Sequence, residues 1–105
     1  MRQPKYIRIY DNNGETNDRF TIVFGKKRIN GEFIYLGLNE YPYHPMGFAQ
    51  HGFSKEPIDR PAYSHLGKKI KWNDLNIDCR RIILIEYNDI WKVTVKNKKE
   101  NLFVN

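Results

Sequence analysis

The sequence predicts an α+β fold: a small antiparallel sheet of four or five strands packed against one C-terminal helix, with a long ordered loop rich in Pro, Gly and aromatic residues. Three observations predict it. β-prone runs separated by Asn-Gly turns fill the first third of the chain. A Pro/Gly stretch interrupts regular structure in the middle. Apolar residues then recur at helical spacing from Asp78 to Trp91.

Tyr6, Ile7, Ile9 and Tyr10 begin the first strand, which stops at Asp11-Asn12-Asn13-Gly14, because Asn and Gly accept positive φ. Phe20-Thr21-Ile22-Val23-Phe24 forms the second, ended by Gly25. After Lys26-Lys27-Arg28-Ile29-Asn30-Gly31, the run Phe33 to Leu38 forms the third. Together these runs read as a three-stranded antiparallel meander with basic residues at one turn.

Glu40 to Gly67 holds Pro42, Pro45, Pro57 and Pro61 with Gly47, Gly52 and Gly67, so regular structure there should be short. The stretch also carries Tyr41, Tyr43, Phe48, Phe53, Tyr63 and all three histidines. A loop of this kind is either a packed Ω-like loop or a functional one. Lys69-Ile70-Lys71-Trp72 alternates as a half-buried strand does, with Trp72 inward. Asn and Asp residues from Asn73 to Asp78 supply N-caps for the helix that follows. Cys79, Ile82, Ile83, Tyr87, Ile90 and Trp91 fit one helical face. Ile82 to Ile85 also permits a strand, and Lys92 to Lys96 reads as a last strand.

A chain of 105 residues suits one domain, residues 1–105. Hydrophobic residues at 40% and charged residues at 29% exclude a disordered chain. The net charge of +6 and a pI near 9.5 favour anionic partners, although the same charge also serves solubility. One cysteine, Cys79, forms no internal disulfide and suits a reducing compartment. No signal region follows the polar N-terminus, and no run approaches the ~20 apolar residues of a membrane span. A cytoplasmic location and no membrane association are expected.

Chemistry-bearing motifs are sparse. His44, His51 and His65 match no compact zinc spacing. Asp59 or Glu56 would have to complete a site, and a histidine capping a turn is the simpler reading. Ser64 precedes His65 without a nucleophile elbow. Cys79 opens the helix, where the dipole lowers a thiol pKa, but it also lies on the apolar face and reads as a buried thiol. Gly67-Lys68-Lys69 lacks the glycine spacing of a Walker loop. No cofactor and no metal are expected.

The remaining signal is a mixture of charge and rings. Arg60, Tyr63, His65, Lys68, Lys69, Lys71 and Trp72 lie close in sequence, followed by Arg80 and Arg81. Lys and Arg neutralise phosphates, and exposed rings stack on bases. Lys26, Lys27 and Arg28 form a second basic group; a shared face would make the two groups one groove.

Asp18-Arg19-Phe20-Thr21-Ile22-Val23-Phe24, Tyr35-Leu36-Gly37, His44-Pro45-Met46-Gly47-Phe48-Ala49-Gln50-His51-Gly52 and Asp59-Arg60-Pro61-Ala62-Tyr63-Ser64-His65-Leu66-Gly67-Lys68-Lys69-Ile70 together resemble a group of small proteins of bacteriophages and related mobile elements. The resemblance spans roughly residues 5 to 91 and carries over no catalytic residue. It implies a phage context, hence the host cell cytoplasm. Small phage proteins act by binding: they coat a nucleic acid, occupy a host enzyme or sequester a nucleotide signal of host defence.

Three readings follow. The leading one is a non-catalytic binding protein for a nucleotide or nucleic acid, used against the host. Arg60, His65, Lys68 and Lys69 would hold phosphates, Tyr63 or Tyr43 would stack, and His51 would join the site. A homodimer would enclose a small ligand. The second is an inhibitor of a host protein through Tyr41, Tyr43, Phe48 and Phe53. The third is a small hydrolase or nuclease using His51 and His65.

Overall fold

A computed structural model of the chain describes residues 2–58 and 65–96, with the backbone alone at Lys26 and residues 91–96. Five antiparallel strands form one sheet: β1 (Ile7–Asp11), β2 (Phe20–Lys27), β3 (Phe33–Leu38), β4 (Ala49–Ser54) and β5 (Lys68–Ile70). One helix follows, α1 (Ile77–Lys96). The order across the sheet is β4-β3-β2-β1-β5, so the predicted meander is its centre.

Strand alternation decides the core. Ile7 and Ile9, then Phe20, Ile22 and Phe24, then Ile34, Leu36 and Leu38 all turn to one face, where all are buried. The helix lies on this face. Cys79 and Ile83, one turn apart, are completely buried, and Ile82, Leu84, Tyr87 and Ile90 pack beside them. Trp72 and Leu75 close the end of this core before the helix starts. The opposite face is not an open platform. Thr21 and Val23 point away from the helix and are buried all the same; Ile58, after β4, is buried outside the helix-side cluster.

The helix start is tied to the sheet. Asn76 Oδ1 accepts the Cys79 backbone N–H at 2.9 Å, which is an N-cap bond, and its Nδ2 donates to the Glu40 carbonyl at 2.6 Å. One side chain therefore caps α1 and anchors it to the chain leaving β3.

Two expectations are corrected. Lys92 to Lys96 continue α1 instead of forming a strand, because no Gly or Pro interrupts the run and a nucleated helix propagates at little cost. Trp72 is buried as predicted, but from a 3-10 turn (Trp72–Asp74); Asp74 Oδ2 takes the Lys71 N–H at 2.9 Å and turns the chain out of β5. The Pro/Gly stretch contributes β4, whose six residues pair one to one with β3 from Leu38↔Ala49 to Phe33↔Ser54. Gly52 permits this pairing by leaving room for the Tyr35 ring, which a Cβ there would overlap.

Candidate functional site

Antiparallel pairing sorts the surface charges by strand end. The start of β1, the end of β2, the start of β3 and the end of β4 meet at one end, since Ile7 and Ile34 both pair with Phe24 and Phe53 pairs with Ile34. This is the hairpin end. Lys5 just before β1, Lys27 and Arg28 at the β2–β3 turn, and Lys55 just after β4 all fall here. At the other end, Asp11, Glu15, Asp18 and Glu40 balance Arg19 and Lys68. Lys68 and Lys69 of the first basic group therefore lie at the opposite end from Lys27 and Arg28, and these four residues make no common groove.

At the hairpin end the cations sit on rings. The Lys27 ammonium is 4.5 Å from the Phe33 ring centroid, and the Arg28 guanidinium is 4.3 Å from that of Phe53. The turn holding Arg28 is rigid: Arg28 N–H donates to the Glu32 carbonyl at 2.8 Å, and Gly31, at φ +85°, donates to the Arg28 carbonyl at 2.8 Å. The Arg28 side chain also reaches Glu32 at 3.4 Å.

A cleft of about 320 Å³ opens between this edge and the second half of α1, lined by Arg28, Ile34, His51, Phe53, Glu86, Asp89 and Ile90. That volume is within the range of small-ligand sites. His51 and Phe53 project from β4 on the helix side, with ring planes 6° apart and centroids 6.5 Å apart. Phe53 remains 47% exposed, which leaves ring surface for a partner. His51 Nε2 meets Glu86 Oε2 at 2.5 Å and so joins the edge strand to the helix.

The second cleft, about 560 Å³ and polar, is at the opposite end, lined by Asp11, Asn12, Asn13, Glu15, Arg19, His65, Gly67 and Lys68. Asn12 builds its wall. Its Oδ1 accepts the N–H groups of Gly14 and Glu15 at 2.9 and 3.1 Å, and its Nδ2 donates to Thr16 Oγ1 at 2.6 Å. Arg19 spends its guanidinium on both oxygens of Asp11, at 2.9 and 3.1 Å, and on Glu40 at 3.2 Å. It is consequently committed to carboxylates and not to a ligand.

The Arg19 hydrogen bonds hold Asp11 below its ordinary pKa of 3.8, against the opposing effect of burial; the Asn13 N–H and the charge of Lys68 also lower it. The folded state thus binds this proton less readily than the unfolded chain. The resulting stability is complete above the ordinary value and is lost as pH falls from about 4 through the lower folded value. Urea unfolding at pH 6 and pH 3 should show a larger loss of stability on acidification in the native chain than in an Asp11→Asn variant. Equal losses would show that this pair carries no such linkage.

The sequence-predicted site residues fall in separate places. His65 and Lys68 line the polar cleft together. Lys69 is next to Lys68 but on the other sheet face, opposite Tyr10. His51 is in the ring-lined cleft on β4, and β4 and β5 are the two outer strands, four strand spacings or roughly 19 Å apart. Tyr43 is 54% exposed on the β3–β4 loop. Arg60 and Tyr63 lie outside the described residues, as do Ser64 and Asp59. Among the described residues no three His, Cys, Asp or Glu side chains gather to hold a metal ion. His44 Nδ1 accepts the Met46 N–H at 3.0 Å, a turn-capping role. Cys79 is completely buried, and burial pushes its thiol pKa up to about 11, so the helix dipole does not make it a nucleophile.

Glu86 and Asp89 escaped the sequence reading of the site. Glu86 and Asp89 are three residues apart next to Ile90, which marks one helix face, but nothing in a linear pattern places them beside His51. No helix among the described residues is long and apolar enough to cross a membrane. No protein-family model, curated protein or solved structure matches this chain.

Proposed function

We propose that the chain is a binding protein for a phosphate-bearing ligand, a nucleotide or a nucleic-acid strand, taken up at the hairpin end of the sheet. The observation that carries this reading is that Lys5, Lys27, Arg28 and Lys55 fall at one strand end, where Phe53 on the helix-side face and Phe33 on the opposite face each lie under a cation. Cations placed on rings supply both phosphate neutralisation and a stacking surface. The bacteriophage resemblance supports a use against the host, such as capture of a nucleotide signal.

The test is anisotropy titration of a fluorescently labelled single-stranded oligonucleotide at several salt concentrations. Affinity should fall linearly on a log–log plot. Lys27→Ala, Arg28→Ala and Lys55→Ala combined should weaken binding at least tenfold at low salt and reduce the slope by about 2. Lys68→Ala with Lys69→Ala should leave both nearly unchanged. Dependence on Lys68 and Lys69 alone would move the site to the polar cleft, and binding insensitive to salt would end the phosphate reading.

A second reading, inhibition of a host protein, is favoured by a different observation. Tyr41, Tyr43 and Met46 are more than half exposed on a loop locked by bonds from His44 N–H to the Tyr41 carbonyl at 3.0 Å and from Gly47 N–H to the His44 carbonyl at 2.6 Å. A rigid loop presenting rings loses little entropy on binding. Under this reading, capture of the partner fails in a Tyr41→Ala, Tyr43→Ala variant and survives loss of the three basic residues.

A further inference from the structure

The ring-lined cleft has an imbalance of hydrogen-bonding groups. Its acceptors are unspent. Glu86 gives one oxygen, Oε2, to His51, which leaves Oε1. Asp89, one turn on and on the same lining, makes no hydrogen bond or ion pair among the described residues. Arg28, the cation of this lining, lies over Phe53 and gives one N–H to Glu32, and it pairs with neither Glu86 nor Asp89. A guest that fills this cleft must therefore be flat, to lie against Phe53 and His51, and must bring N–H donors to the helix side. Phosphates belong outside, where Lys27 and Lys55 stand at the same strand end.

We infer that the cleft between β4 and α1 is a base pocket selective for guanine, with Asp89 as the specificity-determining acceptor. This rests on the proposed phosphate-ligand function. Guanine presents N1–H and the 2-amino group side by side, and a carboxylate accepts both at once. Adenine presents an acceptor at N1 and is repelled there, and hypoxanthine keeps N1–H but lacks the amino group. The ribose phosphate then leaves the cleft toward the basic strand end, so the two charge signs of the site serve two parts of one ligand. Glu86, held by His51, is a positioning residue that fixes the helix against the edge strand.

The experiment is a backbone-amide NMR titration of the full chain with GMP, IMP and AMP. Shifts of His51, Phe53, Glu86 and Asp89 report the cleft. The expected result is tightest binding for GMP, with IMP and AMP each weaker by roughly tenfold or more, as expected for loss of one paired contact to a base edge. In Asp89→Asn, which keeps the size of this exposed side chain, that preference should collapse while weak binding of all three persists. Equal affinities in the native chain, or a GMP preference that survives Asp89→Asn, would overturn the guanine assignment and leave the phosphate-ligand reading standing. If no nucleotide moves these amides the base pocket is overturned, and the oligonucleotide titration decides the broader reading independently. Perturbation of the same amides by N-acetyl-arginine amide, with none by nucleotides, would overturn it in favour of a cationic guest.

Discussion

Replacing Gly67 by alanine should destabilise the domain by about 3 kcal/mol or more, a large share of the ~5–15 kcal/mol that holds a small domain folded. Two causes add. Gly67 sits at φ +85°, where an L side chain is strained. The new Cβ would also overlap the Asp11 carbonyl oxygen and stand 2.6 Å from Asn12 Cα. Both obstacles are backbone, so no rotamer change relieves them. Gly67 leads directly into β5, whose register against β1 runs from Asp11↔Lys68 to Ile9↔Ile70. A displaced Gly67 thus costs the edge strand its pairing. Urea denaturation should show a lower midpoint with little change in slope. A Gly14→Ala control at φ +82°, with nothing within 4 Å of its Cβ, separates strain from clash and should cost only about 1 kcal/mol. Equal effects at the two positions would refute the steric account.

Ile83→Ala should cost about 3 kcal/mol, within the range for deleting a fully enclosed aliphatic side chain. Ile83 has no exposed surface and belongs to the cluster joining α1 to the sheet, so its removal leaves a cavity that the surrounding strands cannot close. Ile85, two residues on, is 53% exposed, and Ile85→Ala should change stability by less than about 0.5 kcal/mol. Thermal or urea unfolding of the two variants tests which helix face is buried. Similar losses for both would mean that α1 is rotated relative to the sheet.

The meander and the helix were legible because each is governed by local periodicity. Phe20 to Phe24 and Phe33 to Leu38 are β-prone runs bounded by turn residues, and the apolar residues from Cys79 to Ile90 repeat at helical spacing. β4 was not legible. Ala49-Gln50-His51-Gly52-Phe53-Ser54 has low strand propensity and becomes a strand because β3 offers a free edge. The last turns of α1 were misread for the converse reason: Val93-Thr94-Val95 favours a strand locally, but the helix already formed before it carries the chain on.

The candidate site divides in the same way. Sequence alone determined a basic α+β domain with a buried Cys79, an inward Trp72 and a turn-capping His44. These properties depend on composition and on neighbours a few residues away. Only the tertiary structure decided which charges share an end. Lys55 joins Lys27 and Arg28, His51 meets Glu86, and Lys68 goes with Arg19 and Asp11 to the far end. The physical reason is strand order. Antiparallel pairing brings together residues that are distant in sequence, placing β4 and β5 on opposite edges of the sheet, and no local pattern encodes which strands will be neighbours.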